Sequence, residues 1–197
     1  MNPAELLAYL GPALGYAALG TALVWPLWRG VVRVDGRHAL TLFLALFFLA
    51  LTQFPLPDRA TLDCTQGGAE AILQPLATLD HVLRLWRWTR NDTSIWPSAW
   101  VASKVLQAAA MNFLLCAAIG AALARHSAGP QAGWRALGMG VALSGGAELA
   151  QLTGLFGLYP CAYRHFEVDD LILNIGGLMA GFALMSRWRR PGQVPPE

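Results

Sequence analysis

From Leu6 to Trp28 the chain carries no charged residue, and four further apolar stretches follow it. A bilayer core about 30 Å thick is crossed by roughly 20 mostly apolar helical residues. The further stretches run about 38–54, 99–123, 136–158 and 171–188. Only 13% of the 197 residues are charged, against about 25% in a typical soluble domain. Mean hydropathy is +0.43. These values exclude a soluble globular domain. They also exclude a disordered chain, which needs low hydrophobicity and high net charge. A formal net charge of +2 without long basic runs argues against nucleic acid as a partner. The expected fold is an all-α integral membrane protein: a single membrane domain over 1–197, with about five transmembrane helices. The first stretch lacks a basic n-region and a small-x-small cleavage pattern, so it reads as a span rather than a leader.

Basic residues set the expected orientation. Arg29, Arg33 and Arg37 lie between spans one and two, and Arg125 and Arg135 between three and four. Arg187, Arg189 and Arg190 cluster at and beyond the end of span five. The other side holds Arg164 and, in the loop 55–98, four arginines offset by five acids. The N-terminus is therefore expected outside and the C-terminus in the cytoplasm. In the outward loop, Ile72, Leu76, Leu79, Leu83 and Trp86 recur at helical spacing, with Asp80, Arg84 and Arg87 on another face. This predicts an amphipathic helix, either lying in the outer interface or capping the bundle from outside. Trp86, Trp88, Trp96 and Trp100 fall at headgroup level.

Small residues mark close helix approaches at Ala136, Gly140 and Ser144, at Gly177 and Gly181, and more weakly at Gly11 and Gly15. Polar residues inside the spans carry the functional signal, because a charge at membrane depth costs about 2.5–3.5 kcal/mol on insertion scales. Glu148 and Gln151 share a face of span four with Ser144; Asp170 and Asn174 share one on span five. Asn112 lies in span three, with Lys104 two turns further out. Asp169 points elsewhere and is expected to serve its helix N-terminus. The topology gathers Asn112, Glu148, Gln151, Arg164, Asp170 and Asn174 in the outer leaflet. Two readings stand: interhelical hydrogen-bond glue with a structural Glu148–Arg164 pair, or the lining of a polar cleft open to lipid.

Those residues resemble the VanZ-like membrane proteins, the family of a teicoplanin-resistance accessory protein, over about 94–181. The resemblance rests on Asn112 with Gly120, on Ser144, Glu148 and Gln151, and on Arg164 followed by Glu167, Asp169, Asp170, Asn174 and Gly177. Cys116 and Ala118 replace the family's usual Phe and Pro, and Glu167 its usual Asp. The resemblance implies a bacterial plasma-membrane protein that lowers sensitivity to lipid-tailed glycopeptides, without a well-established catalytic activity.

The sequence has no P-loop, GxSxG, HExxH or CxxC pattern. His38 and His126 are expected inside, His81 and His165 outside, so no metal site and no cofactor is expected. Cys116 reads as a packing residue. Cys64 and Cys161 both fall in outward loops, where an oxidising exterior permits a disulfide. Three functional readings follow. One is binding or modulation of a membrane lipid, a lipid-linked envelope precursor or a glycopeptide, with Arg164 and Lys104 meeting phosphate or carboxylate. A second is an enzyme acting on such a lipid with Glu148 and Asp170 as acid and base. A third is a small proton-coupled transporter.

Overall fold

The computed structural model describes residues 3–31, 35–65, 67–92 and 94–188. Arg33, Arg189 and Arg190 of the orientation argument lie outside these. Four long helices pack around one core. They are α2 (Gly36–Gln53), α5 (Lys104–Ala124), α6 (Ala132–Leu152) and α8 (Val168–Trp188). A further helix, α1 (Pro3–Val31), lies against α2. Phe48, Cys116, Ile119, Ala136, Ala147 and Leu178 fill the shared core. Outward, Leu19, Leu23, Leu114, Val141, Leu149 and Leu184 are exposed. Large apolar side chains facing out along helices of this length are what a lipid environment demands.

By length and composition, the segments Leu10–Val31, Gly36–Gln53, Lys104–Ala124 and Val168–Trp188 are apolar enough to cross a membrane. The remaining expected span is α6. It is as long as α5 but richer in glycine, and it turns Ala136, Gly140, Ser144, Ala147, Glu148 and Gln151 inward. It ends at Leu152 rather than 158. Beyond it a single left-handed turn, α7 (Gly154–Gly157), carries Leu155 and Phe156 at positive φ. The expected third span, 99–123, is two helices. A short helix α4 (Trp96–Ala102) breaks at Ser103, which is extended and caps α5 by accepting from Leu106 N–H.

The amphipathic helix forms as α3 (Ala77–Thr89) but starts later than its apolar spacing suggests. Leu76 is left-handed, and Ile72 belongs to a two-residue strand, β1 (Ala71–Ile72). β1 pairs in parallel with β2 (Phe166–Glu167). Strand pairing with β2 satisfies backbone groups of this segment that an unpaired extended stretch would leave to water. Leu79, Leu83 and Trp86 remain exposed on α3. The opposite side packs on α4 and α5, where Thr89 is buried and takes the Trp100 indole N–H at 3.1 Å. The helix therefore touches the bundle while its apolar face is left open.

α5 and α8 form the closest pair. A Cβ built on Gly181 would lie 1.9 Å from the Ala117 carbonyl oxygen, one on Gly120 1.9 Å from that of Leu178, and one on Gly177 2.3 Å from that of Phe113. Only glycine permits this approach. Gly140 has ordinary contact with Ile175, and Gly11 and Gly15 face no atom within 4 Å.

The two ends of the bundle differ. At one, Asp35 caps α2, and the His38 and His126 rings stack with centroids 3.8 Å apart. The Arg29, Arg37, Arg125, Arg135 and Arg187 positions flank this end. At the other lie α3, α4, the strands and a Cys64–Cys161 disulfide with Cα atoms 5.7 Å apart. The disulfide is supported by a Gly68–Ala162 bridge and an Ala69 N–H bond to the Ala162 carbonyl.

Candidate functional site

At the disulfide-bearing end, four helix termini bring their polar residues together. α2 stops before Pro55, since the residue preceding proline is steered out of the helical region. Its last carbonyls then need donors. Arg164 supplies two of them: Nη1 to the Thr52 carbonyl at 3.0 Å and Nη2 to that of Phe54 at 2.8 Å. Gln151, at the end of α6, donates to the same Thr52 carbonyl at 2.8 Å. A guanidinium also suits the negative end of a helix dipole. Gln53 bridges from α2 to the Ala147 carbonyl at 3.2 Å and accepts from the Tyr163 hydroxyl at 2.5 Å. Burial raises the Tyr163 phenol pKa above its ordinary value, which keeps it a donor.

The first turn of α8 sends two carboxylates in different directions. Asp170 accepts from Asn112 Nδ2 of α5 at 2.9 Å. Asp169 lies in the first turn of α8, where the helix dipole favours a carboxylate, as the sequence suggested. It also accepts from the backbone N–H groups of Leu76 and Thr78, at 2.5 and 2.6 Å, and so caps α3 as well. One turn further into the bundle, Asn174 donates to Ser144 Oγ at 3.0 Å, while its Oδ1 is buried without a hydrogen-bond partner. Glu148, 1% exposed, accepts the Glu167 N–H at 2.9 Å.

The Glu148–Arg164 pair of the purely structural reading does not form. Among the described residues the ion pairs are Arg37–Asp35, His38–Asp35 and Arg84–Asp80, all at the surface. Arg164 is held by backbone carbonyls, leaving part of its five-donor fork for other partners.

Between α2 and α5, with Gln151, Arg164 and Asp170 in its wall, lies a partly open cavity of about 380 Å³. Lys104, Gln107 and Asn112 line its α5 side and Thr52 its α2 side. Phe48, Leu51, Met111 and Leu115 supply apolar surface. Of the seven residues singled out from sequence, Asn112, Gln151, Arg164 and Asp170 thus reach the cavity wall. Glu148 and Asn174 are buried behind it, and Asp169 turns to α3. Thr52, Gln53 and Tyr163 were not anticipated. Thr52 takes part through its carbonyl, which every residue type has, so nothing in its identity marked it. No group of three His, Cys, Asp or Glu able to hold a metal occurs among the described residues.

No curated protein and no solved structure matches the chain. The VanZ/LLP1 family model matches residues 41–189, from the first turns of α2 to the end of α8. That match takes in every residue of the cavity wall and the disulfide, and the chain belongs to the VanZ/LLP1 family.

Proposed function

We propose that this VanZ-like protein binds or modulates a membrane lipid or lipid-linked envelope component in the cavity between α2 and α5. The observation that carries the reading is the mixed wall. Lys104, Arg164 and Asp170 stand in one cavity with Phe48, Leu51, Met111 and Leu115. Such a wall fits an amphiphile, with charged groups for the head and apolar ones for the chain. The site belongs to the bacterial plasma membrane, on its outer side, with the N-terminus outside and the C-terminus cytoplasmic. The arginines at the opposite end and the disulfide at the cavity's end of the bundle both support this orientation. Occupancy of the cavity is the route by which the protein would alter sensitivity to a lipid-tailed glycopeptide such as teicoplanin.

Acid–base catalysis by Glu148 and Asp170 draws less support, since Glu148 is 1% exposed, is absent from the cavity wall and is occupied by the Glu167 backbone. The test is native mass spectrometry of the purified full chain, released from nanodiscs of bacterial lipid extract. Wild type is expected to retain lipid that Lys104→Ala and Asn112→Leu lose. Equal retention by all three overturns the reading.

A further inference from the structure

The cavity wall is ordered by depth, and that order specifies a ligand more narrowly than "lipid"; the inference rests on the cavity reading above. Ser144 and Asn174 are hydrogen-bonded and so lie level with each other. Seven residues along α6 from Ser144, Gln151 is about 10 Å nearer the disulfide-bearing end. Four residues back along α8 from Asn174, Asp170 is about 6 Å nearer that end. Gln151 and Arg164 meet at one carbonyl, and Asp170 meets Asn112. The guanidinium therefore lies about 4–5 Å outward of the carboxylate. Lys104 is eight residues before Asn112, about 12 Å further out. Inward, the wall turns apolar at Phe48 and Leu115. From the disulfide-bearing end inward the charged groups run Lys104, Arg164, Asp170, with Gln107, Leu51 and Met111 between them and Phe48 and Leu115 deepest.

A ligand filling this order has its anion outermost, a hydrogen-bond donor one short step inward, and a chain deepest. A donor suits this step because Asp170 already acts as an acceptor, taking the Asn112 amide N–H on one oxygen and leaving the other open to a second donor. We infer that the cavity takes a monoacyl glycerophospholipid. Its phosphate lies against Arg164 and Lys104, its free glycerol hydroxyl donates to Asp170, and its single chain runs against Phe48 and Leu115. A second acyl group on that hydroxyl would convert the donor into an ester, which offers Asp170 only acceptors. A polyprenyl phosphate has no donor inward of its phosphate, and a sugar attached to it places hydroxyls outward, the reverse of the wall.

The test is competitive binding to the purified full chain in nanodiscs, read by native mass spectrometry. The probes are a lysophosphatidylglycerol with a free glycerol 2-hydroxyl, its 2-O-methyl ether, diacyl phosphatidylglycerol and a sugar-bearing polyprenyl phosphate. The free hydroxyl form is expected to bind about tenfold more tightly than the ether, the difference a hydrogen bond to a charged acceptor makes. In Asp170→Asn the preference should shrink to about two- to threefold, while Lys104→Ala should weaken both forms alike. The comparison of ligands on wild type stands whether or not Asp170→Asn folds. Equal binding of hydroxyl and ether forms, or tighter binding of the polyprenyl ligand, overturns the inference and leaves the cavity reading in place. Binding of none of the four overturns both.

Discussion

The carboxylate of Glu148 accepts a hydrogen bond from the backbone N–H of Glu167 at 2.9 Å, tying the interior of α6 to the strand that leads into α8. The bond fixes where α8 begins, and so where Asp170 meets Asn112. A buried N–H deprived of its acceptor costs about 1–3 kcal/mol.

Glu148→Gln keeps an acceptor oxygen, whereas Glu148→Leu does not. We expect the Leu variant to lose about 1–3 kcal/mol of stability and the Gln variant less than half of that. Thermal unfolding in detergent, followed by tryptophan fluorescence, distinguishes them. A Gln variant that keeps wild-type stability but loses turnover of a labelled lipid phosphate would instead assign Glu148 to chemistry.

The glycines of the α5–α8 contact separate from those of α1. Gly181→Ala places a methyl 1.9 Å from the Ala117 carbonyl oxygen, a backbone atom that moves only if the helices part. Overpacking of this kind typically costs about 1–3 kcal/mol. Parting the helices also lengthens the Asn112–Asp170 bond, so Gly181→Ala is expected to lower both melting temperature and lipid retention. Gly15→Ala meets nothing within 4 Å and gains helix propensity of about 1 kcal/mol. It is expected to leave both unchanged or slightly raised. Similar losses at the two positions would contradict the packing described here.

Much of this arrangement was legible because bilayer physics writes itself into composition. Spans one, two and five fall within a few residues of α1, α2 and α8. Polar residues at membrane depth were rare enough for topology alone to point to Asn112, Gln151, Arg164 and Asp170, which line one cavity, while Glu148, Asp169 and Asn174 lie outside its wall. The expected sidedness permitted a Cys64–Cys161 bond, and the structure contains it. What stayed hidden are contacts whose acceptor or donor is backbone. Arg164 binds the carbonyls of Thr52 and Phe54, Asp169 the N–H groups of Leu76 and Thr78, and Glu148 that of Glu167. No residue type marks such partners. Ile72 misled for a related reason. Its apolar spacing matched a helix, but pairing with Glu167 claims its backbone first. Gly11 and Gly15 carry the same spacing as Gly177 and Gly181, and spacing alone does not say which pair faces a neighbour.

The disulfide joins residues 97 apart in sequence and anchors the loop that carries β1 to the segment carrying Arg164. A disulfide stabilises typically by about 2–4 kcal/mol, largely by restricting the unfolded chain, and more for long loops. Cys64→Ser/Cys161→Ser is expected to lower the melting temperature and to speed hydrogen exchange at Ala69 and Ile72. Non-reducing gels after maleimide labelling of denatured wild type should show one reactive thiol, Cys116, rising to three on reduction. Three reactive thiols before reduction would show the bond to be absent.

Arg164 offers the sharpest separation of shape from charge. Its two terminal nitrogens reach the carbonyls on either side of Gln53 at the end of α2, those of Thr52 and Phe54, from one planar group. A lysine ammonium delivers the same charge from a single point on a flexible stem and lacks the fork. If the fork is what closes α2, Arg164→Lys should behave much as Arg164→Ala in stability. Both would lose about 1–3 kcal/mol, the usual worth of a hydrogen bond to a charged donor. Amide exchange at Gln53 and Phe54 should then quicken in both. Lipid retention should divide them, because lysine still offers a cation to a phosphate at the cavity wall and alanine does not. Full recovery of stability in the Lys variant would mean that charge at the helix terminus, rather than paired hydrogen bonding, holds α2 against α6 and β2.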